Sequence, residues 1–380
     1  MNNQNENQAC RTSKSSAAIL GPIARKTAGC ALMSLCLQLV AGQASAQTNV
    51  QIYGVVDNAI QSTFGQGTLG QTKTEVTSGY FAASRLGFKG SEDLGDGMKA
   101  FFQLEMGLAT NTGALQQGGR LFGRTAQVGI SSSLGSLALG RLGTPGSGTG
   151  PYNMTNGPKP IDPFYLGYGA AGWANSSNTM ALPLRADNSL VYRTPQLGGL
   201  TFAGLYSFQR DGTEAVGAST NARVTGLGLS YDHGPLFAMI SYDHTDNPLP
   251  GQPAQTALQV GAVYDFNIVK LHMMAGQEKN EFLFSTAVES ALASRANFAA
   301  IGLTVPLSSG RIMLGLQARK ASQIQGGSYG RRIASVGYTY DLSKRTALNM
   351  AFSDSRANQA LASNPSFNFR QVGCGVSHFF

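Results

Sequence analysis

The chain has 380 residues, of which only 13% are charged, against about 25% in an ordinary soluble protein. Its 48 glycines and 42% apolar residues exclude both the polar composition of a disordered chain and the long apolar runs of a helical membrane protein. The net charge of +8 is spread over single bases, in runs no longer than a pair such as Arg331–Arg332. That distribution argues against a nucleic-acid binder, which gathers its bases on one face.

The first 46 residues read as an export signal. Arg11, Lys14, Arg25 and Lys26 form a positive region, residues 28–41 an apolar stretch, and Ala44-Ser45-Ala46 a small-x-small cleavage pattern. Cleavage there starts the mature chain at Gln47. It removes Cys10, Cys30 and Cys36 and leaves Cys374 alone, without an intrachain disulfide.

From residue 50 onward, apolar residues alternate with polar or small ones, the period-2 signal of strands with two unlike faces. Leu258, Val260, Ala262 and Tyr264, for example, interleave with Gln259, Gly261 and Val263, and Ala334, Val336, Tyr338 and Tyr340 with Ser335, Gly337 and Thr339. The pattern predicts strands at 50–60, 80–90, 97–107, 120–131 and 134–142. After a long gap it predicts 186–195, 199–209, 222–232, 235–244, 256–267, 268–279, 295–306, 310–320, 331–341, 345–355 and 368–380. These sixteen strands are joined alternately by seven short turns and eight longer loops, with both termini on the short-turn side. Strands of about ten residues are long enough to cross a bilayer when tilted. In lipid only an edgeless sheet satisfies every strand amide, so the expected fold is all-β: a sixteen-stranded antiparallel transmembrane β-barrel over residues 47–380. The last strand, with Val372, Cys374, Val376, His378 and Phe380 on one face, resembles the C-terminal strand that the barrel-assembly machinery reads in outer-membrane proteins.

Several stretches resemble the general diffusion porins of Gram-negative bacteria. Val50-Gln51-Ile52-Tyr53-Gly54-Val55-Val56-Asp57 is similar to the family's first strand. The most specific match is Ser84-Arg85-Leu86-Gly87-Phe88-Lys89-Gly90-Ser91-Glu92-Asp93-Leu94-Gly95-Asp96-Gly97, followed by Ala100-Phe101-Phe102-Gln103-Leu104-Glu105. Phe122-Gly123-Arg124, Leu139-Gly140-Arg141, Arg185-Ala186-Asp187-Asn188-Ser189 and Leu342-Ser343-Lys344-Arg345-Thr346 continue the resemblance to the end of the mature chain. It implies a homotrimer in the outer membrane, surrounded by lipid and lipopolysaccharide, whose third external loop folds into the lumen. The 42 residues of 143–184, with Trp173 and Asp162-Pro163-Phe164, are the candidate for that constriction loop; a loop left outside the barrel is the alternative. Sixteen strands enclose a lumen that side chains cannot fill.

Strand parity predicts which arginines line that lumen. Arg85 shares a face with Gly87 and Lys89, and Arg185 with Asp187 and Ser189, and an arginine on the lipid face costs about 2–4 kcal/mol at the midplane. Arg124 is placed in the lumen by the family's Gly-Arg pattern, whereas Arg141, in phase with Leu137 and Leu139, reads as structural or interfacial. The resemblance implies a ladder of Arg85, Arg124 and Arg185 opposite acids on the inward loop. That loop carries Asp162 as its only acid, with Lys159 three residues away, so the expected preference is weakly to moderately for anions.

Signals for catalysis are poor. Gly65-Gln66-Gly67-Thr68-Leu69-Gly70 fits a dinucleotide spacing and Gly326-Gly327-Ser328-Tyr329-Gly330 a nucleophile elbow, but neither precedes a helix. His233, His244, His272 and His378 lack zinc spacing. No enzyme activity, cofactor or metal is therefore expected. The favoured function is passive diffusion of small hydrophilic solutes and ions through the outer membrane. The alternatives are a channel selective for one class of anion and a plugged barrel that acts as an adhesin or structural protein.

Overall fold

A computed structural model describes residues 49–66, 71–155, 159–164, 171–172, 185–217, 221–246, 253–280, 293–323, 327–358 and 367–380. The expected export signal (1–46) and Trp173 lie outside these residues, as do parts of both glycine-rich motifs. The first strands are β1 (Asn49–Gln66), β2 (Gln71–Ser78), β3 (Arg85–Gly95), β4 (Met98–Ala109), β5 (Ala114–Leu115) and β6 (Thr125–Ser132). They are followed by β7 (Gly135–Gly143), β8 (Arg185–Arg193), β9 (Leu200–Ser207), β10 (Val224–His233), β11 (Leu236–Thr245) and β12 (Gln255–Asp265). The last are β13 (Lys270–Lys279), β14 (Ala293–Leu307), β15 (Gly310–Gln323), β16 (Ser328–Asp341), β17 (Thr346–Ala357) and β18 (Phe369–Phe379).

Each strand pairs antiparallel with its neighbour, and β1 pairs β18 in the register Val55↔Phe379 to Phe64↔Arg370, which closes the sheet. Two short strands stand apart from the ring: β5 pairs two residues of β4, and β2 prolongs the place of β3 beside β1. Sixteen strands thus form the closed barrel. The terminal residue completes the closure, because the Gly54 and Phe380 amides each donate to the other's carbonyl at 3.0 and 3.2 Å. A side chain at Gly54 would run into the Phe380 ring.

The wall inverts the usual partition of a water-soluble protein. On β16, Val336 is 43% and Tyr338 40% exposed, while Ser335 and Thr339 on either side of the pair are buried. The same holds for exposed Leu314 and Leu316 against buried Gln317 on β15. An apolar exterior around a polar interior suits lipid outside and water or polar groups inside.

The connections follow from local chemistry. Gly95, Asp96 and Gly97 all take positive φ (85°, 50° and 74°) to turn β3 into β4, a conformation that glycine reaches without steric cost. Residues 143–184 connect β7 to β8, and the described parts pack on inward-facing positions. Pro145 and Met154 cover Gly228, Ile161 covers Gly261, and Phe164 lies against Gly337 and Met313, each seat being open because glycine has no side chain. Polar contacts hold the same segment: Gln259 donates to the Gly146 carbonyl (3.2 Å), Gln317 to the Ala171 carbonyl (3.3 Å), and His272 Nδ1 lies 3.0 Å from the Pro160 carbonyl.

Three sequence expectations of extent are revised. The strand expected at 50–60 runs on to Gln66, where it pairs with β2, a strand the alternation did not predict. The strand expected at 80–90 starts at Arg85, because Gly79–Ser84 leaves the sheet and turns inward. Tyr80, Phe81, Ala82 and Ser84 are buried, and Ser84 Oγ bridges the amide and carbonyl of Asp57 at 3.0 Å each. Likewise the strand expected at 120–131 starts at Thr125, since Gln117, Gly118 and Gly119 take positive φ and the chain turns there.

Candidate functional site: an arginine cluster on the barrel wall

The site is set by a row of paired positions: Tyr53 on β1 faces Gly87 on β3, Gly87 faces Glu105 on β4, and Glu105 faces Thr125 on β6. Gly87 leaves a gap one strand wide. The Tyr53 ring lies across it, where any side chain would collide, and its hydroxyl donates to Glu105 Oε2 at 2.9 Å. Gln103 donates to the Tyr53 hydroxyl at 2.6 Å, and Gln127 to Gln103 at 3.1 Å, so three strands fix one carboxylate.

The arginines gather around that carboxylate. Arg124, one residue before β6, places Nε 2.6 Å from Glu105 Oε1, and Arg85 Nε lies 3.7 Å from Oε2. Arg85 also donates to the Ala83 carbonyl at 3.0 Å, which ties its direction to the inward turn of Gly79–Ser84. Arg185 opens β8 and donates from Nε to the Arg124 carbonyl at 3.0 Å; it has no acidic partner among the described residues. Two guanidiniums therefore share one carboxylate with a third beside them, and Lys89 adds a further base over the Tyr53 ring at 5.2 Å.

A second group adjoins the first. Asp187 accepts from Arg141 (2.6 Å) and from Arg120 (2.7 and 2.9 Å), and the Gly212 amide donates to it at 2.8 Å. This bonding holds the Arg120 guanidinium above its usual pKa. Arg141 also donates to the Gly123 carbonyl at 2.9 Å and so joins the loop before β6 to the start of β8.

Arg85, Arg124 and Arg185 are thus brought together, and Asp162 is held elsewhere. It is buried, and its Oδ1 accepts the Phe164 amide at 2.8 Å, beside Ile161 on Gly261 of β12. Lys159 pairs with Asp232 of β10 at 2.8 Å. The counter-charge at the arginines is Glu105 from the wall itself and not an acid of the loop. Its signal was in the sequence: Glu105 lies mid-strand between Leu104 and Met106, where a carboxylate cannot face lipid.

Chemically the arrangement offers fixed cations and no reactive pair. Arginine keeps its charge and presents a planar fork to anions, and a passage lined by one sign of charge concentrates the opposite ion. Among the described residues no three histidine, cysteine or acidic side chains are grouped to hold a metal.

Comparison with known proteins accords with this geometry. A family model described as Gram-negative porin matches residues 31–360. An outer membrane porin protein of Bordetella pertussis is 32% identical, over 90% of this chain and 96% of its own length. Among solved structures, the anion-selective porin from Comamonas acidovorans superposes with a TM-score of 0.68 at 26% identity, covering 88% of this chain and 100% of that one. An outer membrane protein of Vibrio cholerae in its trimer form, 11% identical with a TM-score of 0.61, covers 88% of this chain and 99% of its own and shares the fold alone. With the closed barrel, these matches make the protein a channel of the outer membrane rather than an enzyme, and the chain belongs to the Gram-negative porins.

Proposed function

We propose that the channel passes small hydrophilic solutes and ions with a preference for anions. The observation that carries this reading is the imbalance at Glu105: Arg85 and Arg124 share one carboxylate, and Arg185, bonded to the Arg124 carbonyl, adds a third guanidinium beside them. Residues 143–184 constrict the channel in this reading, and the seats of Pro145, Ile161 and Phe164 on inward-facing glycines support it. Asp162 acts there by holding the turn at Phe164 and not as the acid opposite the arginines. The Comamonas acidovorans relative is an anion-selective porin, which agrees with the same charge balance.

Three further features belong to the proposal. Residues 1–46 direct export and are removed. The mature chain forms a homotrimer surrounded by lipid and lipopolysaccharide, as the trimer form of the Vibrio cholerae protein suggests. Phe380, at the closing edge of the sheet, is the residue the assembly machinery reads. The test of the selectivity is direct: replacing Arg85 and Arg124 with serine moves the reversal potential in a KCl gradient toward the cation limit. An unchanged potential removes both residues from the selectivity site.

A further inference from the structure

Residues Gly79–Ser84, between β2 and β3, form a second inward element beside the 143–184 connection, and one acid folds it. Asp57 on β1 is fully buried and has no basic partner among the described residues. It meets the turn at its first, middle and last residues. Its carbonyl accepts the Gly79 amide (3.0 Å) and the Ser84 hydroxyl (3.0 Å), its Oδ1 accepts the Phe81 amide (3.1 Å), and its own amide donates to Ser84 Oγ (3.0 Å). Gly79 takes a φ of 73°, and a side chain there would press on Ala83 and Ser84, so the turn is tight. Tyr80 and Phe81 share one buried cluster with Phe164 and Ala171 of the 143–184 connection and with Met313 and Ala351 of β15 and β17.

This turn delivers a carbonyl to the first residue of β3. Arg85 Nη1 donates to the Ala83 carbonyl at 3.0 Å, whereas Arg85 Nε stays 3.7 Å from Glu105, beyond hydrogen-bond reach. Arg124 makes a charge-assisted bond to the same carboxylate at 2.6 Å. A neutral carbonyl fixes the direction of a guanidinium without cancelling its charge. If the Ala83 carbonyl moved away, the gap between Arg85 and Glu105 would close to an ion pair like that of Arg124. A carboxylate buried without a base is costly, so Asp57 is a poor choice for stability alone.

We propose that Asp57 is a positioning residue for the anion preference: through the Gly79–Ser84 turn it holds the carbonyl that keeps Arg85 off Glu105 and directed at the passage. This rests on the anion preference proposed above and places part of its cause in a residue that touches no solute. The charge of Asp57 and its hydrogen bonds act in opposite senses. A negative charge beside the channel favours cations, whereas the hold on the turn favours anions. Removing the charge alone and removing charge and hold together therefore have different outcomes.

The test compares Asp57→Ala, Asp57→Asn and Ser84→Ala with the unaltered full-length protein, by reversal potential in a KCl gradient across a planar bilayer. Both Asp57 variants lose the same charge, but asparagine keeps an oxygen for the Phe81 amide. Ser84→Ala releases the Asp57 amide and carbonyl and changes no charge. Asp57→Ala and Ser84→Ala lower the chloride-to-potassium permeability ratio at least about twofold, as partial withdrawal of a unit charge from near the passing ion requires. Asp57→Asn keeps the ratio of the unaltered protein or raises it. Equal ratios for the two Asp57 variants overturn the proposal, as does a ratio that rises in Asp57→Ala. If Asp57→Ala does not assemble, Ser84→Ala decides, and an unchanged ratio there overturns the proposal. A preference missing from the unaltered protein overturns the anion reading itself, whereas one that is present and survives in Asp57→Ala and Ser84→Ala overturns the positioning role alone.

Discussion

Replacing Glu105 with glutamine isolates the charge balance at the arginine cluster. Glutamine keeps its Oε1 as the acceptor for Arg124 Nε and puts an amide N–H, which can donate to the Tyr53 hydroxyl, in place of the second oxygen, the two partners lying 2.6 and 2.9 Å from the carboxylate, so the side-chain scaffold has the means to persist. Only the negative charge disappears. A unit charge about 5 Å from a passing ion in water acts with about 0.8 kcal/mol, which 0.1 M salt screens to about 0.5 kcal/mol. Anions gain this and cations lose it, so the permeability ratio shifts by about 1 kcal/mol, roughly fivefold toward anions. The assay is the reversal potential of Glu105→Gln across a KCl gradient in a planar bilayer, with oligomer stability in detergent as the control for folding. A ratio that stays constant or moves toward cations, in a stable barrel, refutes the reasoning.

Two further predictions concern the inner wall. Arg319 and Glu278 pair at 3.1 Å with both side chains buried, and Gln255 donates to the same carboxylate at 3.1 Å. Glu278→Ala removes the carboxylate that pairs with a buried guanidinium and costs about 3 kcal/mol of stability, measured as a lower urea midpoint in detergent; an unchanged midpoint means that this pair does not hold the inner wall. Gly261→Val places methyl groups where Ile161 sits, an overpacking worth about 1–3 kcal/mol, and it shifts the segment off the wall. Single-channel conductance then changes, and a conductance equal to that of the unaltered protein means that the Ile161 seat does not set the width of the passage.

Much of the fold was legible in the sequence because the physics of a lipid-facing sheet is repetitive. Exposed Leu314, Leu316, Val336 and Tyr338 and buried Gln317, Ser335 and Thr339 are the two sides of one alternation. A barrel has no edge strand or mixed layer to blur it. Interruptions were harder to read. Tyr80 and Phe81 are two bulky residues in succession, and both are buried in the inward turn. A strict alternation would have sent one of them to each face.

Parity also fails across a bulge, because one extra residue reverses every later side chain. Between β7 and β8 the register shifts between Gly140 and Leu142, and Asn188 takes a φ of 47°. Ala186 is therefore fully buried although Ser189, three positions on, is buried too. Arg185 and Asp187, expected on one face with Ser189, are governed by this irregularity, and Arg141 reaches Asp187 through it. The arginines of the cluster were found by residue type and local pattern. Their counter-charge was not, because Glu105 and Arg124 are distant in sequence and meet only through the β4–β6 pairing.

The sign of the reversal potential of the unaltered protein in a KCl gradient tests the central claim most directly. Three guanidiniums around one carboxylate predict a potential displaced toward the chloride equilibrium value and smaller at high salt, where wall charges are screened. A potential displaced toward the potassium value would contradict the account, since cations could then pass the arginines more easily than anions.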